Sequence, residues 1–208
     1  AQLAESLTDV YVCTDSNEIA SVVLDNGGKV IMTDVDHING TERIAQAAKK
    51  LEADYFVDIQ GDEPLINPEH INAVVDGHIR HPDWEILLPS LPISQPESLH
   101  IVKVVHDSFM RVIFLSRSVI PQPFRYRPAY YLKHLSIISF RPDSLQRFAN
   151  LPPSEMEITE GIELLRAIEN NLVIGTILLN GNSFSVDVEE DYVNAQLEMI
   201  QDELRKRY

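Results

Sequence analysis

Two adjacent carboxylates, Asp62 and Glu63, sit in the run Gln60-Gly61-Asp62-Glu63-Pro64, directly after an apolar, β-rich segment. Hard oxygen ligands at the end of a strand suit Mg²⁺, which takes one or two carboxylates together with substrate phosphates. Gly61 leaves room for a backbone or a ligand to come close. The same five residues also read as a solvated acidic turn, and spacing alone does not separate the two readings.

Other segments carry weaker signals. His37-Ile38-Asn39-Gly40-Thr41-Glu42-Arg43 leads into a helix, and a helix N-terminus is a ready anion site. Arg43 is able to clamp a carboxylate or phosphate with two bonds. Taken alone, the segment reads first as a capped surface helix. Lys133-His134 lies in an apolar strand, where a lone histidine is more often a packed residue than a ligand. Glu160 and Glu163 are spaced to share a helix face, ordinarily a solvated one. Asp187 follows a β-rich run and makes an Asp-x-x-Glu capping box with Glu190, although a cap can still aim one oxygen at a metal. No dinucleotide fingerprint, P-loop, zinc-type Cys/His cluster or serine nucleophile elbow is present.

The elements that must position these residues alternate along the first half. Strands are expected at 9–13, 29–32 and 55–59. Helices are expected at 16–24, 41–51 and from Asn67-Pro68-Glu69 to about Arg80. Asp15 and Glu18 have capping-box spacing for the first of these helices. Such alternation implies a mostly parallel sheet with helices on both faces, and ligands bind outside the carboxyl ends of its strands. The middle is β-rich. A strand at 85–88 precedes a proline-rich passage, Pro89 to Pro96. A hairpin at 101–115 turns at His106-Asp107-Ser108, and a strand follows at 131–140. Helices at 142–149, 155–170 and 189–206, with a strand at 172–178, complete the chain. One domain is expected, with its core at 1–90 and 141–208 and a β-rich insertion at about 91–140 that is expected to form a subunit interface.

The bulk properties narrow the function. The chain has 208 residues, 44% of them hydrophobic, enough for one sizeable core. Its net charge of -15 argues against nucleic-acid binding, which needs a basic footprint. No apolar run approaches the roughly 20 residues that cross a bilayer. Residues 1–8 are polar without a basic flank, unlike a signal peptide. Cys13 is the single cysteine, so no internal disulfide forms, and a cytoplasmic setting fits.

The segments also occur in a telling order. After 37–43 and 60–64 come Val102-Lys103-Val104-Val105, Phe114-Leu115-Ser116-Arg117-Ser118-Val119-Ile120-Pro121 and Lys133-His134-Leu135-Ser136-Ile137. Glu163-Leu164-Leu165-Arg166 and Val186-Asp187 complete the set. This ordered set resembles the 3-deoxy-manno-octulosonate (Kdo) cytidylyltransferases, from about Asp9 to the last helix.

The resemblance implies a nucleotide-diphospho-sugar transferase-like mixed sheet with helices on both faces, a β-rich dimerisation insertion and a homodimer. The implied reaction joins CMP from CTP to an acidic sugar for lipopolysaccharide synthesis, releasing pyrophosphate, with Mg²⁺ as cofactor. Asp62 and Asp187 match the family's metal-binding, catalytic carboxylates. Arg43, Gln60, His134 and Glu163 match sugar-acid contacts, and Asn39, Gly40 and Gly61 nucleotide contacts. The family's N-terminal strand and basic phosphate loop precede the segment matched at Ala1, which is expected to lie in the following helix. Three positions depart from the pattern: Lys133 replaces an arginine, Ile138 a tyrosine and Leu164 a glutamine. The last two are expected to remove hydrogen-bonding groups from the sugar pocket and shift selectivity toward an altered Kdo-like acid, such as the 8-amino variant. Alternatives are a cytidylyltransferase for a nine-carbon sialic-type acid and a silent nucleotide- or sugar-binding homologue.

Overall fold

The computed structural model describes residues 1–186 and 188–207; Asp187 and Tyr208 lie outside the described residues. The chain opens with turns at 1–6 rather than the expected helix. The backbone N–H and hydroxyl of Ser6 both donate to Asn72 Oδ1, at 3.1 and 2.9 Å, which holds the segment against the helix carrying Asn72. Strand β1 (Tyr11–Thr14), helix α1 (Asn17–Asp25) and strand β2 (Lys29–Met32) follow. Ser16, not Asp15, caps α1: its hydroxyl accepts from Ile19 N at 3.3 Å. A hydroxyl one residue nearer the helix satisfies the same exposed donors.

Helix α2 (Gly40–Ala48), strand β3 (Phe56–Ile59) and helix α3 (Pro68–Arg80) continue the alternation. Asn67 caps α3 and Pro68 occupies its first position, as the sequence pattern predicts. Strand β4 (Ile86–Ile93) is longer than the strand expected at 85–88 and continues into the proline-rich passage that follows it. Strand β5 (Lys103–His106) pairs antiparallel with β6 (Val112–Ser116) as the expected hairpin. The single strand expected at 131–140 is two, β7 (Tyr131–His134) and β8 (Ile137–Phe140), interrupted at Leu135-Ser136. Helix α4 (Pro142–Ala149) is followed by α5 (Glu155–Glu160) and α6 (Leu164–Glu169). The helix expected over 155–170 breaks because Gly161 adopts a left-handed φ of 63°. Strand β9 (Ile174–Leu178) precedes α7 (Glu189–Gln201) and a 3₁₀ turn at Glu203–Arg207. Val188 is the capping position of α7, and its N–H donates to Asp191 Oδ2 at 3.1 Å; the cap expected at Asp187 lies outside the described residues.

The sheet is mixed rather than mostly parallel. β1 and β2 form a parallel pair of their own. The larger sheet runs β3-β8-β4-β7-β5-β6, with β9 on the other edge of β4. β9 is parallel to β4, whereas the pairings of β8 with β3 and β4 are antiparallel. β8 therefore lies between two parallel strands and ties part of the expected insertion into the main sheet.

Side chains alternate across β4. Ile86 and Leu88 join a core with Ala45, Ala48, Leu145, Phe148 and Leu165 on one face. Leu87 and Leu91 join Ile71, Val74 and Trp84 on the other. Helices thus cover both faces of the sheet, as the alternating pattern requires. Among the described residues no helix is long and apolar enough to cross a membrane.

Candidate active site

Three elements converge beyond the carboxyl end of β3. Asn39 caps α2 through its Oδ1, which accepts from Glu42 N at 2.8 Å, and this orients the first turn of α2. Thr41, on that turn, is wholly buried. Its hydroxyl lies 3.0 Å from Asp58 Oδ2 on β3 and 2.7 Å from Glu163 Oε1 at the start of α6. Burial pushes the Asp58 carboxyl up to about 6, against the Thr41 bond and with help from the Asp62 charge. Burial likewise pushes Glu163 up to about 7, opposed by the Thr41 bond and supported by the Asp58 charge.

The loop after β3 divides its two acids. Glu63 turns inward and is 5% exposed. Its Oε1 accepts from Ser136 N at 3.3 Å, at the break between β7 and β8, and burial raises its pKa above the usual carboxylate range. Glu63 is therefore not one of a pair of carboxylates at the ligand edge. Gln60 N donates to Ser136 O at 3.3 Å, which docks the start of the loop on the same break. Asp62 keeps Oδ1 buried without a partner. A Cβ built on Gly40 or Gly61 would meet nothing within 4 Å, so both approaches are open to a ligand.

The segment leading to residue 187 is tied to this loop. Val186 N donates to Asp62 O at 2.9 Å, and Lys133 Nζ donates to Ser183 Oγ at 2.7 Å. The expected partner of Asp62, Asp187, follows directly but lies outside the described residues. Among the described residues, no group of three or more His, Cys, Asp or Glu is arranged to hold a metal ion.

His134 ends β7 with its Nε2 buried and unpartnered. Burial, assisted by the Lys133 charge, pushes its pKa down to about 4, so the ring is neutral at ordinary pH. Arg43 turns toward the β1–β2 side. It donates to Thr33 Oγ1 at 2.8 Å and Asp34 O at 3.2 Å, and it pairs with Asp15 at 3.3 Å. None of these bonds joins it to the Asp58–Thr41–Glu163 group. Glu160 does not share a helix face with Glu163, since Gly161 separates them; it accepts from Ser116 Oγ at 2.7 Å and Arg117 N at 3.0 Å.

One observation unites the candidate residues. Asn39 Nδ2, Asp62 Oδ1, His134 Nε2 and Glu163 Oε2 are buried without a hydrogen-bond partner. Among the described residues the only other such side-chain atom is Ser144 Oγ. Leaving a buried polar group unpaired costs about 1–3 kcal/mol, so these four atoms mark where a polar ligand completes the bonding. Their chemistry asks for a ligand with both donors and acceptors, and a bare carboxylate oxygen also suits a hard cation.

Asp58, Glu42 and Arg166 also belong to this region, although sequence reasoning did not single them out as site residues. Asp58 had a visible signal: it is an acid inside the apolar strand Phe56–Ile59. The two departures at 138 and 164 sit together. Ile138 and Leu164 are 1% and 2% exposed in the same apolar cluster, and Ile138 lies opposite Asp58 across the β3–β8 pair. These apolar side chains thus belong to the packed core behind the site.

A family model described as cytidylyltransferase matches residues 1–177. The 3-deoxy-manno-octulosonate cytidylyltransferase of Rickettsia bellii is 38% identical over 196 residues, covering 91% of this chain and 78% of that protein. The protein of that name from Pelodictyon phaeoclathratiforme is 41% identical over 197 residues, covering 92% and 78%. The solved structure of a CMP:2-keto-3-deoxy-manno-octonic acid synthetase complexed with CTP superposes with a TM-score of 0.91 at 32% identity, covering 96% of this chain and 84% of that one. HddC from Yersinia pseudotuberculosis, at 11% identity and a TM-score of 0.63, shares the fold.

Proposed function

This chain belongs to the cytidylyltransferase family, within the group of its 3-deoxy-manno-octulosonate enzymes, and from that membership we propose that it transfers CMP from CTP to the anomeric hydroxyl of Kdo or a closely related acidic sugar. Pyrophosphate leaves, and the product feeds lipopolysaccharide synthesis. The observation that carries the site reading is the set of unpartnered buried atoms on the expected site residues Asn39, Asp62, His134 and Glu163.

The reaction needs no side-chain nucleophile. The sugar hydroxyl attacks the α-phosphorus in line, so the protein's task is to position both partners and balance developing charge. The neutral His134 ring and the Glu163 carboxyl offer Nε2 and Oε2 to the sugar acid. Gln60, at the carboxyl end of β3, adds a further sugar contact, whereas Arg43 would first have to leave Asp15, Thr33 and Asp34 to reach the sugar acid. Asn39, Gly40 and Gly61 line the nucleotide's approach, where no Cβ blocks either glycine.

Mg²⁺ is the proposed cofactor, with Asp62 and Asp187 as its carboxylates. The unpartnered Asp62 Oδ1 fits that role, and the Val186–Asp62 backbone bond brings the segment before residue 187 to the same loop. Bound there, the cation would supply charge neutralisation and a lowered hydroxyl pKa.

The proposed assembly is a homodimer in the cytoplasm. Its support is the exposed apolar set Leu99, Phe109, Ile113, Phe124 and Tyr126, all within the β-rich middle of the chain. Sedimentation at micromolar concentration tests it, and a monomer refutes it. Ile138 and Leu164 pack in the core rather than face a ligand, so the loss of hydrogen-bonding groups expected there does not carry a selectivity for an altered Kdo-like acid. A kcat/KM much higher for such an analogue than for Kdo would contradict this.

A further inference from the structure

We infer that Arg166 and Glu42 form a positioning pair that holds Asn39 and Glu163 in register, the first for the nucleotide and the second for the acidic sugar. The inference rests on the site reading above and adds residues that do not themselves face the ligand.

Arg166 is fully buried on α6, three residues after Glu163. Its Nε and Nη2 bond both oxygens of Glu157, at 2.7 and 2.6 Å. Its Nη1 donates to Glu42 Oε1 at 2.9 Å and to Leu151 O at 3.0 Å. The guanidinium centre lies 5.1 Å from the centroid of the Phe148 ring. These contacts fix its position on every side that the planar fork presents.

The consequence lies at Glu42. While Oε1 is held by Arg166, Oε2 accepts from Ile38 N at 3.2 Å, which folds the 38–40 loop back onto the first turn of α2. Glu42 N in turn donates to Asn39 Oδ1 at 2.8 Å. Two ties therefore join the start of α2 to α6: Arg166–Glu42 and Thr41–Glu163. One places Asn39 Nδ2 and the other Glu163 Oε2, both buried and unpartnered. Loss of the first tie frees the loop and the helix start to shift relative to α6. A displacement near 1 Å is enough to cost up to about a hundredfold in a positioned reaction.

The test is Glu42→Gln in the intact protein. A glutamine has a single acceptor oxygen, so it keeps the Arg166 bond or the Ile38 bond but not both. Arg166 retains both Glu157 bonds, so the variant keeps a charge partner for the buried cation. Arg166→Lys is the companion, since an ammonium cannot reproduce the fork. Steady-state KM for the sugar acid and for CTP, calorimetric affinity for the acid alone, and Tm are measured for each. The expected result in Glu42→Gln is a CTP KM raised about tenfold together with the sugar-acid KM and Kd, at an unchanged Tm. Unchanged affinity for both substrates, or losses that accompany a lowered Tm, would overturn the positioning role. A wild-type protein that neither binds the acid nor turns over refutes the function reading itself, and the inference with it.

Discussion

Thr41 Oγ1 lies 2.7 Å from Glu163 Oε1 and 3.0 Å from Asp58 Oδ2, so one hydroxyl serves two buried carboxyl groups. A hydroxyl donates only once. For both contacts to be hydrogen bonds, one of the acids must hold a proton and donate it to Thr41. The raised pKa values, about 6 for Asp58 and about 7 for Glu163, accord with a proton shared in this group. Thr41→Val keeps the shape and removes the donor. It is expected to cost about 1–3 kcal/mol of stability and to raise the sugar-acid KM, because Glu163 loses the bond that aims it. Chemical denaturation and substrate-dependence curves check this, and a variant unchanged in both measurements would contradict it.

Glu163 also sets a pH dependence. Its carboxyl goes from an ordinary 4.5 to about 7 in the folded protein, so between these values the native state holds the extra proton. Stability from this group therefore falls as pH rises from 4.5 to 7. Asp58 acts in the same direction between 3.8 and about 6. His134, lowered from 6.5 to about 4, acts oppositely. Glu163→Gln removes one contribution alone, so its stability should gain on wild type as pH rises from 5 to 8. Denaturation curves across that range are the check, and a constant difference would contradict the assignment.

Asp62→Asn and Asp187→Asn address the cation. Each is expected to lower Mg²⁺-dependent turnover at least about a hundredfold while leaving the folded state intact. Asp62 is the clearer case, because its Oδ1 has no protein partner to lose. Pyrophosphate release against Mg²⁺ concentration reads both. Full Mg²⁺-dependent rates in the pair would remove the metal assignment.

Gly175 offers a stability test away from the site. A Cβ there would come within 1.9 Å of the Trp84 ring, which occupies the space beside Gly175. Gly175→Ala is expected to destabilise by about 1–3 kcal/mol through overpacking. A denaturation midpoint equal to wild type would show that Trp84 moves freely.

Much of this was legible in the sequence, for physical reasons that differ by element. Asn67-Pro68-Glu69 fixed the start of α3 because its cap and first-turn proline act locally. The sequence pattern ends β4 before Pro89 because a proline argues against a central strand. In the sheet, Pro89 falls where β8 pairing has ended at Leu87 and β7 pairing has yet to begin at Ser90, while Pro92 lies beyond Ser90, the last partner of β9. Neither gap is visible without knowing the neighbours. The antiparallel β8 was hidden likewise, since its place between β3 and β4 is a long-range choice. Within the site, Asp62 and His134 stood out by type and order. Glu63 looked equivalent to Asp62 until Ser136 claimed it. Asp58 and Arg166 act through partners far along the chain, Thr41 and Glu42, and spacing does not encode such pairs.

The central claim is tested most directly by pyrophosphate release from CTP and Kdo in the presence of Mg²⁺. The account expects release that requires the nucleotide, the acidic sugar and the cation together, with CMP-sugar formed in equal amount. Absence of release with Kdo and its analogues, or release that persists without any sugar acid, would contradict it.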